Sequence, residues 1–179
     1  MDVIVKAVHY GAGQHEGQVR KYTGEAYFTH CKAVAALVEK FVSDHAEFFP
    51  DDNGELVAAA LLHDTVEDCD ATIEDIEREF GETVARYVYF LTKEPDIAGN
   101  REIRKTIYRN KLALAPAGVQ MIKFFDMFHN HDSIREHDPQ FYERFRKETQ
   151  QMMIAISANT LFGGFLHKEN KEFWLALTS

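Results

Sequence analysis

The chain has 179 residues, and its 20 Lys and Arg against 29 Asp and Glu give a formal net charge of −9. This length predicts one domain with its own core, and a hydrophobic fraction of 45% argues against a disordered chain. The negative charge argues against a general nucleic-acid surface, and the longest apolar run, residues 56–62, is too short to span a membrane.

The two cysteines and the N-terminus bear on the compartment. Cys31 and Cys69 are too few for a disulfide framework, which favours a reducing environment. The first residues lack the basic start and apolar stretch of a signal peptide. We therefore expect a cytoplasmic protein.

Apolar residues recur at helical spacing along most of the chain, and all four prolines fall between such segments. We predict helices over residues 2–12, 30–48, 54–68, 72–80, 82–93, 100–114, 118–134, 139–161 and 168–177. Thr72 and Asp75 make a capping box for the fourth of these, and Gly81 ends it. No segment shows the alternation of a strand. The prediction is one all-α domain over residues 1–179.

The segment from Gly11 to Tyr27 differs from the rest of the chain. It contains four glycines, with Arg20 and Lys21 between them. We predict a helix end followed by a structured loop. A loop rich in glycine and cations can wrap a phosphate, and a flexible surface connection is the alternative.

The most informative run carries His63, Asp64, Glu67 and Asp68 directly after the apolar residues 56–62. On a continuous helix, residues four apart share a face, so His63 would lie over Glu67 and Asp64 over Asp68. Acidic groups at the C-terminal end of a helix oppose its dipole, so a cation is expected to offset them. This favours a divalent metal ion, and the alternative is a solvated acidic helix end.

Two further residues are candidate metal ligands. His30 follows the glycine-rich segment, and Asp126 ends a second apolar run. A buried carboxylate needs a partner, because an unpaired buried charge is expensive. Two histidines and two aspartates would leave coordination positions open for water, which is typical of a catalytic metal site.

These residues resemble the H…HD…D signature of HD-domain phosphohydrolases. The similarity extends to the hydrolase domain of RelA/SpoT proteins: residues 18–30 look like its R-K-x-x-G-x-P-Y-x-x-H segment, 63–68 its H-D-x-x-E-D motif and 126–130 its D-x-x-x-N motif. The resemblance covers about residues 5–155 and is to stand-alone small alarmone hydrolases of the metazoan SpoT homologue class. It implies a single HD-domain helical bundle of about eight to ten helices.

The resemblance also implies a site. It implies four ligands for a Mn²⁺ ion, for which Zn²⁺ or another divalent metal can substitute: His30, His63, Asp64 and Asp126. It implies that Glu67 and Asp68 position and activate the attacking water. It implies these contacts to guanine, ribose and phosphates: Arg20, Lys21, Tyr27, Asn130, Arg101 and Arg146. The implied reaction removes pyrophosphate from the 3′ position of ppGpp or pppGpp and gives GDP or GTP.

Several positions depart from the family pattern. Cys31 and Ala26 replace prolines on either side of the first histidine, Phe125 is bulky for its position, and Met127 stands where a cation is common. These departures bear on pocket shape and substrate. Two alternatives stay open: an HD phosphohydrolase acting on another nucleotide, such as NADPH or a nucleoside monophosphate, and a non-catalytic nucleotide-sensing domain.

The net charge of −9 is unevenly distributed. Residues 64–82 hold nine acidic residues and one basic residue, a local balance of −8, whereas residues 101–111 hold five basic residues and one acidic, a balance of +4. The basic segment is suited to face phosphates. This charge distribution argues against a broad nucleic-acid surface and is compatible with the small guanosine polyphosphate that the resemblance implies.

Overall fold

The computed structural model of the chain describes residues 2–50, 52, 54–94 and 100–157. These ranges form a 3-10 helix at Ala46–Phe48 and nine α-helices: α1 (Val3–Gln14), α2 (Phe28–Asp44), α3 (Glu55–Leu62), α4 (Thr65–Asp68), α5 (Ile73–Phe80), α6 (Glu82–Leu91), α7 (Arg101–Ala113), α8 (Ala117–His137) and α9 (Pro139–Ser157). Their only β-type pairing is one antiparallel bridge between Val19 and Ala26. The predicted all-α fold is confirmed, and the helix predicted at 168–177 lies outside the described residues.

Helix α3 lies at the centre of the bundle. Its residues from Leu56 to Leu62 are all buried, because α1, α2, α6 and α8 pack around it. Its start is capped by Asp52, whose carboxylate accepts a hydrogen bond from the Leu56 amide at 3.0 Å. The run of alanine and leucine favours a helix and lets the neighbouring helices approach closely.

The single helix predicted over residues 54–68 is wrong, because the chain turns a corner between α3 and α4. Here the Thr65 hydroxyl donates to the Leu62 carbonyl at 2.6 Å, and Nδ1 of His63 lies 2.8 Å from the Ala60 carbonyl. Such side-chain hydrogen bonds compete with the amide bonds that would continue a helix. The predicted stacking of His63 over Glu67 therefore gives way to a corner that aims His63 and Asp64 into the interior.

Other predicted helix ends within the described residues agree with the structure to within a few residues, and the end predicted at residue 161 lies outside them. The Thr72 side chain accepts from the Asp75 amide and the Asp75 carboxylate accepts from the Thr72 amide, so the capping box is present. Gly81 ends α5 with a positive φ of 87°, which favours glycine. Pro116 directly precedes α8, and Pro139 opens α9.

The loop of residues 15–27 is structured, as predicted. Its arms pair through the Arg20 amide and the Glu25 carbonyl at 2.8 Å, and through the Tyr27 amide and the Gln18 carbonyl at 2.9 Å. Gly24 turns the chain between the arms with a φ of 70°. The Gln18 side chain also donates to the Asp68 carbonyl at 2.9 Å, so the loop is fastened to the end of α4.

Helix α8 is the longest described helix and brings Asp126 into the core, while α9 packs along both α7 and α8. Cys31 is buried and Cys69 partly exposed, and both are free thiols. No helix in the described ranges combines the length and hydrophobicity that a membrane crossing requires.

We expect Leu62→Ala to lower the free energy of unfolding by roughly 2–5 kcal/mol, because it leaves a cavity beneath the α3–α4 corner. Leu62 is 0% exposed, whereas Leu114 is 81% exposed and provides a matched control. Leu114→Ala should change stability by less than about 0.5 kcal/mol. Urea denaturation of both variants measures the difference, and equal losses would contradict the central role of α3.

Candidate active site

Two histidines and an aspartate converge where α2 meets the α3–α4 corner. His30, on the first turn of α2, and His63 and Asp64, at the corner, each offer a ligand atom, and these atoms lie within 4.8 Å of one another. Nε2 of His63 is 3.0 Å from Oδ2 of Asp64, and Nε2 of His30 is 3.9 Å from the same oxygen. Mixed nitrogen and oxygen donors at this spacing can hold a divalent cation.

The contacts of His63 leave one of its two ring nitrogens available to a cation. The Ala60 carbonyl can only accept, so Nδ1 of His63 carries the proton that it donates there. Nε2 is then left for another partner: it is buried, and although Oδ2 of Asp64 lies 3.0 Å away, Nε2 makes no hydrogen bond to any of the described residues. A buried polar atom without a partner is expensive, and a metal ion at Nε2 would remove that cost.

Asp126 adjoins this cluster from α8. Its Oδ1 lies 3.1 Å from Nε2 of His30 and 3.9 Å from Nε2 of His63, and it accepts from the Asn130 side chain at 2.8 Å. Its Oδ2 accepts from the ammonium group of Lys123 at 2.6 Å. Asp126 is thus the fourth candidate ligand, with one oxygen directed at the histidines and the other held by a lysine.

The pKa shifts describe a cluster that favours positive charge. Burial raises the pKa of both aspartates, but His63 and His30 together outweigh it for Asp64, and Lys123, His30 and His63 together outweigh it for Asp126, so both pKa values fall below the usual range. Burial lowers the pKa of His63, yet Asp64 and Asp126 outweigh it and raise the pKa to about 9. The two carboxylates therefore stay ionised and attract a cation to this point.

Glu67 and Asp68, on α4, lie beside this cluster. The Tyr27 hydroxyl donates to Asp64 at 2.7 Å and to Asp68 at 3.1 Å, so one phenol orients a candidate ligand and a candidate base. The Glu67 carboxylate accepts from the ammonium group of Lys93 at 2.5 Å. Burial, with Asp64 and Glu67 nearby, raises the pKa of Asp68, and a raised pKa suits a carboxylate that accepts a proton.

Two adjoining cavities open at the site. The first, of about 230 Å³, is lined by His63, Tyr27 and Asn130, by the charged residues Asp64, Glu67, Asp68, Asp126, Lys93, Lys105, Arg109, Lys123 and Glu148, and by Leu91, Tyr108, Met127, Phe145, Thr149 and Met152. The second, of about 600 Å³, is lined by two glutamates and five cations, Glu67, Glu94, Lys93, Arg101, Arg104, Lys105 and Lys111, and by Val66, Thr92, Ile107 and Tyr108. We call these the metal cavity and the cation cavity. They share a wall formed by Glu67, Lys93, Lys105 and Tyr108.

The structure brings together some of the predicted substrate contacts and not others. Tyr27 and Asn130 line the metal cavity, and Arg101 lines the cation cavity, where it pairs with Glu148 at 3.0 Å. Burial, with the positive charges of His30 and Arg20 nearby, lowers the pKa of His129, so Arg20 lies near the histidine that contacts His30. Three predicted contacts, Arg20, Lys21 and Arg146, line neither cavity. The side chain of Lys21 contacts Tyr22 and Asp138, and that of Arg146 contacts Glu143.

Sequence reasoning missed four residues of the site. Lys123 and His129 lie on α8 beside Asp126 and His30, and Lys93 and Lys105 stand between the two cavities. A signal for Lys123 was present, because a lysine inside an apolar run and three residues before an aspartate shares its helix face. Lys105 lies in the basic segment 101–111, which was expected to face phosphates. His129 and Lys93 depend on contacts between distant segments, for which the sequence carries no comparable signal.

The sequence of this chain resembles those of known proteins. A family model for the HD domain matches residues 7–161. A guanosine-3′,5′-bis(diphosphate) 3′-pyrophosphohydrolase of Aquifex aeolicus is 35% identical over 157 residues, covering 86% of this chain and 21% of that protein. A protein of the same name from Haemophilus influenzae is 34% identical over 147 residues, covering 80% and 20%. The chain thus spans about a fifth of the length of these relatives.

A solved structure supports the fold. It is described as a metazoan ortholog of SpoT that hydrolyzes ppGpp and plays a role in starvation responses, and it matches with a TM-score of 0.74 and 22% identity, covering 95% of this chain and 97% of that one. The predicted resemblance to HD-domain proteins is confirmed by the match over residues 7–161. On its sequence, its helical fold and its cluster of histidines and aspartates, the chain belongs to the HD domain family.

Proposed function

We propose that this chain is a metal-dependent hydrolase that removes pyrophosphate from the 3′ position of guanosine tetra- and pentaphosphate, giving GDP or GTP. One observation carries this: a metal cavity with two additional carboxylates adjoins a cation cavity, and the two share Glu67, Lys93, Lys105 and Tyr108 as lining residues. The activity named for the Aquifex and Haemophilus relatives matches a substrate with phosphates at two positions.

Four residues are proposed to hold the cation: His30, His63, Asp64 and Asp126. Their support is the buried Nε2 of His63 and the short distances from it and from Nε2 of His30 to the carboxylates. When bound, a divalent cation of this kind polarises a phosphoryl oxygen and activates water. Mn²⁺ is our proposed ion, and Zn²⁺ is the main alternative for this donor set.

Asp68 and Glu67 are proposed to orient the attacking water and accept its proton. Asp68 has its pKa raised by burial and is oriented by the Tyr27 hydroxyl. Glu67 lies on the wall between the cavities, where Lys93 holds it. A carboxylate placed in this way contributes about two to four powers of ten in rate as a general base.

The cation cavity is proposed to receive the phosphates that are not cleaved. Its five cations outnumber its two glutamates, so a phosphate group there would meet net positive charge. Arg101 belongs to this group, and Tyr27 and Asn130 face the reacting end of the substrate in the metal cavity. Arg20 is proposed to meet the guanine and Lys21 the ribose and phosphate, and Arg146 stays a predicted phosphate contact; all three lie outside both cavities. A cytoplasmic location, expected from the two free thiols, also stays a prediction.

We expect Glu67→Gln combined with Asp68→Asn to lower the rate of pyrophosphate release from ppGpp by at least about 100-fold, because water loses its proton acceptor. Mn²⁺ binding, measured by titration calorimetry, should persist in this variant. Glu74→Gln, at an exposed position on α5, is the control and should retain full activity. Undiminished turnover in the double variant would contradict the assigned roles.

We expect His63→Asn to weaken Mn²⁺ binding by at least about 100-fold, beyond the 10- to 100-fold loss typical of residues behind the ligands. Asparagine can still donate to the Ala60 carbonyl but has no atom at the position of Nε2. His9→Asn, on the exposed face of α1, should bind Mn²⁺ normally. Calorimetric titration of folded, chelator-treated protein is the measurement, and wild-type affinity in His63→Asn would rule out this ligand.

We expect Arg104→Gln to raise KM for ppGpp by about three- to tenfold with little change in kcat, as for a partly exposed charge-assisted contact worth about 1 kcal/mol. Arg104 lines the cation cavity, whereas Arg86 is an exposed arginine on α6 that lines neither cavity. Arg86→Gln should leave both constants unchanged. If the two substitutions had equal effects, the cation cavity would not be part of the substrate site.

The alternatives are distinguished by the same assay run over several nucleotides with Mn²⁺. Release of pyrophosphate from ppGpp supports the proposal. Consumption of NADPH or a nucleoside monophosphate, with ppGpp left intact, would favour a different nucleotide substrate. Tight binding of ppGpp without any turnover would favour a sensing domain.

A further inference from the structure

His30 contacts a second histidine on the side away from the carboxylates. Its Nδ1 lies 2.8 Å from Nδ1 of His129, which is half-buried on α8, and the ring centroids are 4.9 Å apart. Each imidazole nitrogen either donates or accepts, so this contact requires exactly one proton between the two atoms. The ring that carries this proton is the donor and the other ring is the acceptor, so the position of the proton fixes the tautomer of both rings.

The other nitrogen of His30 faces the candidate metal site. Nε2 lies 3.1 Å from Oδ1 of Asp126 and 3.9 Å from Oδ2 of Asp64, and His30 is only 1% exposed. Nε2 can bind a cation only when it carries no proton, and the ring proton must then sit on Nδ1. In that state Nδ1 needs an acceptor, because a buried donor without one is expensive.

We propose that His129 is a positioning residue that accepts the Nδ1 proton of His30 and thereby directs Nε2 of His30 to the cation. This rests on the metal site of the proposed function, but not on its substrate. Metal-binding histidines commonly donate their second nitrogen to such a partner, and losing the partner weakens metal binding. His63 has the corresponding partner in the Ala60 carbonyl, whereas His30 relies on a side chain.

The contact permits two arrangements that contain the same number of protons. Without a cation, Nε2–H of His30 donates to Asp126 and Nδ1 of His30 accepts from Nδ1–H of His129. With a cation, His30 carries its proton on Nδ1 and donates to His129, whose own proton is then on Nε2. Each ring keeps one proton throughout, so cation binding selects a tautomer and changes no net charge on the pair.

The first test is Mn²⁺ affinity by titration calorimetry on chelator-treated full-length chain, without substrate. We expect His129→Leu, which has no acceptor, to bind Mn²⁺ about 10- to 100-fold more weakly than wild type. His129→Asn places an amide oxygen near the position of Nδ1 and should restore affinity close to the wild-type value. His137→Leu, at an exposed position on the same helix, is the matched control and should match wild type.

Wild-type affinity in His129→Leu would overturn the proposal, and so would equal losses in the Leu and Asn variants, which would indicate a packing role. If His129→Leu does not fold, a second measurement decides. Long-range ¹H–¹⁵N spectra of wild-type protein, with and without diamagnetic Zn²⁺, report the tautomer of His30. A shift of its proton to Nδ1 on Zn²⁺ binding supports the proposal, and a proton retained on Nε2 overturns it. A failure of the proposed function would look different: ppGpp would not be turned over, while the Mn²⁺ affinities would still follow the pattern predicted here.

Discussion

The charge of two aspartates inside the helical bundle determines how the rest of the site is built. Asp126 is 7% exposed, and Asp64 is largely buried at the corner after α3. Buried carboxylates are tolerated only with positive charge beside them. Lys123 supplies a positive charge beside Asp126, which explains a lysine on the core-facing side of α8. Asp64 lies beside His63, where a proton or a bound cation balances its charge.

The two halves of the site rest on different parts of the fold. The candidate metal ligands lie on α2, at the α3–α4 corner and on α8, which are held by the core around α3, while α4, α6, α7 and α9 complete the lining of the metal cavity. The cation cavity is formed by the end of α6 and by α7, whose surface is more exposed. A precise arrangement of ligands benefits from rigid support, whereas a phosphate-binding surface tolerates mobile side chains. The fold therefore gives the two cavities different tolerance to substitution.

The sequence predicted the parts of the site that lie close together in the chain. His63, Asp64, Glu67 and Asp68 form one short run, and their place after a buried apolar segment was readable from the pattern. The corner at His63 was missed, because helical periodicity continues through it and the break depends on two side-chain hydrogen bonds.

Contacts across long stretches of chain were equally hidden from the sequence. Lys93 meets Glu67 and His129 meets His30 only after the helices have packed. Gln18 provides a link of the same kind between the loop of residues 15–27 and α4, through its contacts with Tyr27 and Asp68. Opening of that loop breaks the hydrogen bond from the Tyr27 amide to the Gln18 carbonyl, next to the side chain whose hydroxyl contacts Asp64 and Asp68. Hydrogen exchange at the Tyr27 amide therefore reports local opening of the loop that carries this tyrosine to the acidic corner, when that opening needs less free energy than global unfolding.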